Sequence, residues 1–150
     1  MINLESLDTD IECAVSHLVT FSLDEIDIEE KREILINEFK NKLKLKNFSN
    51  LDLKNTIRKH NDDFTNEEYY YLKCANSENK TLDEFYEQIL SYPSIIIESN
   101  DQYFVLDGQH RINQLIKIEK DYSEHMVVSL NELPKWTLTL LQNSFQNYQK

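Results

Sequence analysis

Glycine and proline are nearly absent from this sequence. Its 150 residues include one glycine, Gly108, and two prolines, Pro93 and Pro134. Flexible linkers and low-complexity segments are rich in these residues, so their scarcity argues against both, and no internal repeat is visible. Because 150 residues is the size of one ordinary domain, we expect residues 1–150 to form a single domain.

Cysteines and long apolar runs are also scarce. The two cysteines, Cys13 and Cys74, lie far apart without CxxC spacing, which argues against a zinc knuckle and a disulfide scaffold. No run of about 18 apolar residues occurs, and the N-terminal segment is acidic where a signal peptide would be basic and then apolar. The sequence therefore predicts a cytoplasmic protein without a membrane segment.

Basic residues are outnumbered by acidic ones. Lysine and arginine total 16, aspartate and glutamate total 27, and the net charge is −11. Non-specific nucleic-acid binding depends on cations that displace counterions from phosphate, so we do not expect direct DNA binding. An acidic chain suits a small-molecule ligand or a basic protein partner. The hydrophobic fraction of 40% argues against disorder.

The apolar pattern predicts a mixed α/β domain with a small sheet and several helices. Strands are predicted at residues 18–23, 94–98, 103–106 and 126–130. Helices are predicted at residues 28–44 and 51–59, after capping boxes at Thr65 and Thr81, after Gly108 and after Pro134. The stretch from about residue 48 to 90 is therefore mainly helical and separates the first strand from the others.

One segment concentrates polar groups between a predicted strand and a predicted helix. Residues 104–112 read FVLDGQHRI and contain the only glycine. Gly108 can adopt a positive φ and lets a ligand approach the backbone closely. The amides at the start of the following helix favour an anion such as phosphate, and Arg111 can grip phosphate oxygens with two N–H groups.

The two other polar groups in this segment suit phosphate chemistry as well. His110 can donate a hydrogen bond or carry a proton near neutral pH. Asp107 can hold Mg²⁺ or accept a proton from an attacking hydroxyl. An Asp-Gly pair is also typical of a plain turn, beside which Arg111 would be a solvated surface side chain and His110 would simply lie at the start of a helix. The residues alone leave both interpretations open.

Residues 106–111, LDGQHR, resemble the signature of the ParB/sulfiredoxin superfamily, in which a Gly-x-x-Arg box follows a strand. The form DGQHR is itself typical of DGQHR-domain proteins that regulate DNA sulfur modification. Residues 94–98 and 126–130 resemble the strands around the box, and residues 18–26 resemble the first strand with the LDEI that follows it. The resemblance implies a small ParB/sulfiredoxin-like domain with a helical insertion at about residues 48–90.

The resemblance also implies a site and a reaction. The residues that would line a pocket for nucleotide phosphates are Gly108, Gln109, His110 and Arg111. Asp107 would lie near the metal or the reacting group, as a Mg²⁺ ligand or a catalytic base, with His110 as a further catalytic residue. Relatives hydrolyse CTP or phosphorylate a sulfinic acid or free serine. We therefore expect a nucleoside triphosphate, ATP or CTP, with Mg²⁺, and its hydrolysis or phosphoryl transfer.

A second carboxylate is suggested by the serine kinases of the superfamily, where a glutamate after the first strand is the base. Glu25 is its nearest counterpart here, and Asp24 and Asp27 are rivals. Sulfiredoxin activity is not expected, because Gln109 stands where sulfiredoxins have cysteine. Chromosome partition is not expected either, because no helix-turn-helix follows and the charge is −11.

Two further interpretations remain. Small stand-alone members of this superfamily can be carried by mobile elements, and an acidic domain can bind a basic protein of a DNA-processing system as a non-enzymatic regulator or inhibitor. Some relatives are described as ParB-like nucleases, and a metal-dependent phosphodiesterase needs only a local cationic groove. The net charge of −11 disfavours the nuclease.

Overall fold

The structure is a computed structural model that describes residues 3–20, 28–59 and 64–145, without the side chains of residues 64–70 and 89. Within these ranges the α-helices are α1 (Leu7–Val19), α2 (Ile28–Lys42), α3 (Asn50–Lys54), α4 (Phe64–Ser77), α5 (Leu82–Ile89), α6 (Gln109–Lys117) and α7 (Thr137–Phe145). The strands are β1 (Lys44–Ser49), β2 (Ile95–Ser99), β3 (Gln102–Asp107) and β4 (Tyr122–Ser129), and a 3₁₀ turn covers Leu130–Glu132.

The four strands form one mixed sheet in the order β1-β4-β2-β3. β1 pairs with β4 and β2 pairs with β3 in antiparallel fashion, whereas β2 and β4 are parallel. The parallel pair requires a crossover, which α6 supplies between β3 and β4. The predicted class, a mixed α and β domain with a small sheet, is confirmed.

Helices cover both faces of the sheet. Side chains of a strand alternate between faces, and Ile95, Ile96 and Ile97 are all fully buried. Ile95 and Ile97 belong to the cluster that contains residues of α1, α2 and α7, whereas Ile96 belongs to the cluster with residues of α3 and α6. This explains why β2 reads as a continuous β-branched run.

The β2–β3 hairpin turns at Asn100 and Asp101, as predicted. Both residues have positive φ, 52° and 65°, which is the geometry of a two-residue turn whose twist matches the flanking strands. Asparagine and aspartate tolerate this region better than other non-glycine residues. The turn sets the register as far as the pair Ile96 and Val105, and a one-residue shift between Ile96 and Ile95 then brings Asp107 opposite Ile95.

The predicted first strand at residues 18–23 is wrong where the structure describes it. Leu18 and Val19 lie in α1, and they continue the helical spacing of the buried residues Ile11, Ala14 and Val15. Residues 21–27 lie outside the described ranges. The alternation at residues 18–20 was too short to distinguish a strand from the end of an amphipathic helix.

Strand β1 was not predicted. The sequence predicts a helix that continues to Lys44, whereas α2 ends at Lys42 and Lys44 begins β1. Residues 44–47 of β1 are all exposed. The other differences are at element ends, since α4 begins at Phe64 rather than after a cap at Thr65, and β4 begins at Tyr122. In the described ranges no helix is both long and apolar enough to cross a membrane.

The predicted capping box of α5 is confirmed and gives a stability test. The Thr81 side chain accepts a hydrogen bond from the Glu84 amide, and the Glu84 carboxylate accepts one from the Thr81 amide. Thr81→Ala removes one acceptor for the orphan amides of the first turn, so we expect a loss of about 1 kcal/mol in the free energy of unfolding. Urea denaturation measures it. Thr81→Ser keeps the hydroxyl acceptor and should lose much less free energy of unfolding than Thr81→Ala. Equal losses in the two variants would contradict a capping role.

Candidate functional site

The predicted motif forms a tight strand-to-helix turn. β3 ends at Asp107, and α6 begins at Gln109. Gly108 between them has φ +84°, in the left-handed region, and its carbonyl accepts the amide of Ile112 at 3.2 Å. Because glycine enters this region without a Cβ penalty, the only glycine of the chain stands where the backbone requires one.

The space beside the Gly108 Cα is occupied by the protein itself. A Cβ at this position would lie 2.6 Å from Nη2 of Arg111 and would also collide with the Ser94 hydroxyl. The close approach predicted for a ligand is therefore made here by the Arg111 guanidinium, which folds back over the turn.

Arg111 is held by two carboxylates. Its Nη2 lies 3.2 Å from Oδ2 of Asp107, and its Nη1 lies 3.7 Å from Oδ2 of Asp10. Ser6 donates a hydrogen bond to the same Asp10 oxygen at 2.8 Å. The Arg111 side chain is 13% exposed, and its buried Nε has no hydrogen-bond partner among the described residues. Asp10, on α1, is a member of the site that the sequence analysis missed.

Asp107 titrates closer to neutrality than an ordinary carboxylate. Burial raises the pKa of Asp107, the positive charge of Arg111 lowers it, and the negative charge of Asp10 raises it again, with a result of about 6. Burial and the second carboxylate thus outweigh the ion pair. A carboxyl group with a pKa near the working pH can both accept and return a proton.

Ser94, the residue before β2, connects the Gly108 turn to β4 through two hydrogen bonds. Its hydroxyl donates to the Gly108 carbonyl at 2.9 Å, and its amide donates to Nδ1 of His125 at 3.0 Å. His125 is 1% exposed; burial, with a smaller contribution from Arg111, lowers its pKa to about 4.

The imidazole of His125 is therefore neutral at pH 7, with its proton on Nε2, since Nδ1 accepts the Ser94 amide. Nε2 then donates to the hydroxyl of Ser123 at 2.8 Å. In this tautomer His125 is not a base for Ser123, so the pair is structural rather than a nucleophile with its activator.

The remaining motif side chains differ in accessibility. Gln109 is buried, and its Oε1 accepts the Lys59 amide, which fastens the segment after α3 to the start of α6. Asn113, one turn later, accepts a hydrogen bond from Arg58 and strengthens the same attachment. His110 is exposed. Of the residues predicted to contact phosphate, Gln109 thus uses its side chain within the protein, whereas His110 faces outward.

A cleft of about 300 Å³ opens at the motif and is lined by Asp10, Tyr71, Asp107, Gly108, Gln109, His110 and Arg111. This volume is at the low end of ligand sites, so the cleft has room for phosphate-sized groups rather than for a whole nucleotide. All the residues predicted from the motif therefore meet around one opening. Glu25, Asp24 and Asp27 lie outside the described residues.

The described ranges contain no group of three or more histidine, cysteine, aspartate or glutamate side chains that could hold a metal ion. The carboxylates at the cleft are the pair Asp10 and Asp107, both on Arg111. A Mg²⁺ ion bound by phosphate-rich ligands needs only one or two protein carboxylates, so this pair is compatible with it.

Comparison of the chain with protein-family models, with curated proteins and with solved structures gives no match. The ParB/sulfiredoxin resemblance therefore stays a prediction that rests on the motif.

The packing at Gly108 gives a first test of the site. Gly108→Ala places a Cβ in a left-handed residue and against Arg111, so we expect a loss of about 3 kcal/mol in the free energy of unfolding. Urea denaturation measures this loss. In an Arg111→Ala background the same change should cost clearly less, because one of the colliding groups is gone. An undiminished cost there would show that Arg111 is not responsible and that backbone strain and the Ser94 contact account for the loss.

The raised pKa of Asp107 gives a second test. The pKa of Asp107 is about 6 in the folded protein and 3.8 for an ordinary aspartate, so ionised Asp107 destabilises the folded protein above pH 6, and this penalty disappears as the pH falls towards 3.8. Asp107→Asn should thus stabilise the protein at pH 7 by up to about 3 kcal/mol, and the gain should vanish near pH 4.

Denaturation of both proteins across this pH range measures the difference. His125, whose folded pKa is lowered to about 4, destabilises both proteins alike as the pH falls below 6.5, so it cancels in the comparison. An Asp107→Asn protein that is less stable than the parent at pH 7 would show that the Arg111 ion pair outweighs burial.

Proposed function

We propose that this domain binds the phosphate groups of a nucleoside triphosphate together with Mg²⁺ in the motif cleft, and hydrolyses the nucleotide or transfers its phosphate. The observation that carries the proposal is the pairing of Asp10 and Asp107 on Arg111 at the N-terminus of α6, around an open cleft. Helix N-termini, arginines and paired carboxylates are the groups that phosphate and Mg²⁺ use together.

The charges of the cleft support a metal-dependent ligand. Two carboxylates and one guanidinium sum to −1, which repels a phosphate group, and one Mg²⁺ changes the sum to +1. Asp10 and Asp107 would hold the ion, and the bound metal would neutralise phosphate oxygens. The nucleotide should therefore bind only when Mg²⁺ is present.

The residues of this chain supply the remaining functions. The amides of the first turn of α6, with the helix dipole, attract phosphate oxygens, and exposed His110 at the rim donates a hydrogen bond to them. In the alternative arrangement, in which Asp10 would hold the ion without Asp107, Asp107 would accept the proton of an attacking hydroxyl, a role that suits its pKa of about 6. Arg111 keeps Asp10 and Asp107 in place.

The finer fold assignment belongs to the same proposal. β2, β3, the motif, α6 and β4 follow one another in the order of the superfamily's signature region, which supports a ParB/sulfiredoxin-like domain. The helical conformation of Leu18 and Val19 counts against it, because the first strand of the superfamily was expected there. The helices α3, α4 and α5 occupy most of the stretch assigned to an insertion.

The size of the cleft predicts which part of the ligand is recognised. About 300 Å³ accommodates the phosphates, so ribose and base would lie outside the described lining. Discrimination between ATP and CTP, the two nucleotides that the resemblance suggests, should therefore be weak, because contacts to the phosphates are common to both.

Thermal melting tests the binding step. With Mg²⁺ and ATP, CTP or GTP at about a hundred times the dissociation constant, the ligand adds about 2.7 kcal/mol, which raises the melting temperature by several degrees. Asp10→Asn and Asp107→Asn should abolish the rise, and none of the three nucleotides should give a rise without Mg²⁺. Release of inorganic phosphate then measures turnover.

Asp8→Asn is the matched control, because Asp8 is an exposed acidic residue in the same helix as Asp10. It should leave the rise unchanged. No rise with any nucleotide, or an equal rise in Asp107→Asn, would refute the site, whereas a rise without phosphate release or transfer would reduce the proposal to a binding protein.

A further inference from the structure

A second and larger cavity lies apart from the motif. It has a volume of about 740 Å³ and shares no lining residue with the motif cleft. Its lining residues come mainly from α5, from the end of α6 with the residues that follow it, and from the N-terminal half of β4. We call it the β4 groove and define it by Tyr86, Glu87, Leu115, Ile118, Tyr122 and Glu124.

The strand that forms one wall of the groove has an open edge. β4 pairs with β1 from Tyr122 to Val127, but its pairing with β2 begins only at Met126, whose amide donates to the Ser94 carbonyl at 3.0 Å. Main-chain groups of a strand point to alternate sides, so the N–H and C=O of Glu124 point the same way as those of Met126, away from β1.

The ladder stops there for a specific reason. A continued parallel ladder would bring the Ser94 amide to the Glu124 carbonyl, but that amide donates to Nδ1 of His125 instead. Among the described residues no backbone group therefore pairs with Glu124 on the groove side.

The other edges of the sheet are protected. β1 carries exposed Lys44 and Lys46, charged side chains that discourage strand addition. The outer edge of β3 is covered by Ile57, whose amide donates to the Tyr103 carbonyl and whose carbonyl accepts the Val105 amide. The open stretch of β4 differs from both, since it faces a cavity large enough to admit a chain.

The chemistry of the groove selects its occupant. Ile118 is 51% exposed and Tyr122 is 61% exposed, so these two side chains offer the apolar surface of the groove, whereas Leu115 is buried. Two carboxylates, Glu87 on α5 and Glu124 on β4, line the groove with a single lysine, Lys120, so its described lining carries a net negative charge. Side chains of an added strand alternate between its two faces, so exposed Ile118 and the surplus of carboxylates favour a segment in which apolar and basic side chains alternate.

We propose that the β4 groove binds an extended, basic segment of a partner protein, which adds a short strand along Tyr122–Glu124. Three residues of open edge span about 10 Å, so the segment pairs over two or three residues. Its main chain bonds to Glu124, one apolar side chain covers Ile118, and lysine or arginine pairs with the carboxylates of the lining, Glu87 and Glu124. This site uses no residue of the motif cleft, so it stands whether or not that cleft binds phosphate.

Peptide titration followed by amide NMR tests the proposal. The probe is a panel of blocked pentapeptides in which lysine alternates with valine, isoleucine, leucine or phenylalanine. At least one should bind at or below about 1 mM and move the amide signals of residues 122–124. Methylation of its backbone nitrogens should abolish binding, because strand addition needs those donors. Glu87→Gln with Glu124→Gln should weaken binding about fivefold at low salt.

Glu132→Gln is the control, since Glu132 is exposed and does not line the groove. It should bind like the parent, and a panel with glutamate in place of lysine should not bind. Absence of binding across the lysine panel overturns the proposal. The proposal is also overturned if binding survives backbone methylation of the peptide or shifts amide signals other than those of residues 122–124. Equal affinities of the double variant and Glu132→Gln would overturn it as well. An otherwise unchanged amide spectrum of each variant shows that it is folded.

Discussion

The two hydrogen bonds donated by Ser94 connect the principal features of this structure. Its hydroxyl holds the Gly108 carbonyl, which fixes the turn between β3 and α6. Its amide donates to Nδ1 of His125 and not to a carbonyl of β4, so the pairing of β2 with β4 stops there and the edge of β4 at Glu124 is left without a backbone partner among the described residues. The same residue therefore shapes the motif cleft and the β4 groove. His125 must stay neutral for this arrangement, and burial, which lowers its pKa to about 4, ensures it.

The motif cleft brings Asp10, Asp107 and Arg111 together, although the ionised form of Asp107 does not stabilise the folded protein. Burial and the neighbouring Asp10 raise the pKa of Asp107 to about 6, so its ionised form destabilises the fold at neutral pH despite the Arg111 ion pair. Pairs of carboxylates kept at such a cost are typical of sites that bind a cation or move a proton. A side chain that anchors phosphate is expected to extend toward solvent. Arg111 instead lies over Gly108 between two carboxylates.

The local signals in the sequence were sufficient for the second half of the fold. β2, β3 and α6 were predicted because a β-branched run, a turn pair and a change of period each act over a few residues. β1 was missed because an edge strand with exposed residues 44–47 has no apolar alternation to detect. The first strand was wrong because Leu18 and Val19 also continue the buried stripe of α1, and tertiary packing selected the helix.

The site could be predicted only as far as it is contiguous in sequence. Residues 107–111 meet at one turn because a strand, a left-handed glycine and a helix start place them there. Asp10 joins them only when α1 packs beside β3, and no spacing in the sequence marks it among the other acidic residues near the N-terminus. The positions of Ser94 and His125 depend in the same way on sheet pairing, since parallel β2 and β4 must first come together. Side chains that support a site from other strands are thus the part that local patterns do not encode, because their role exists only after the sheet has formed.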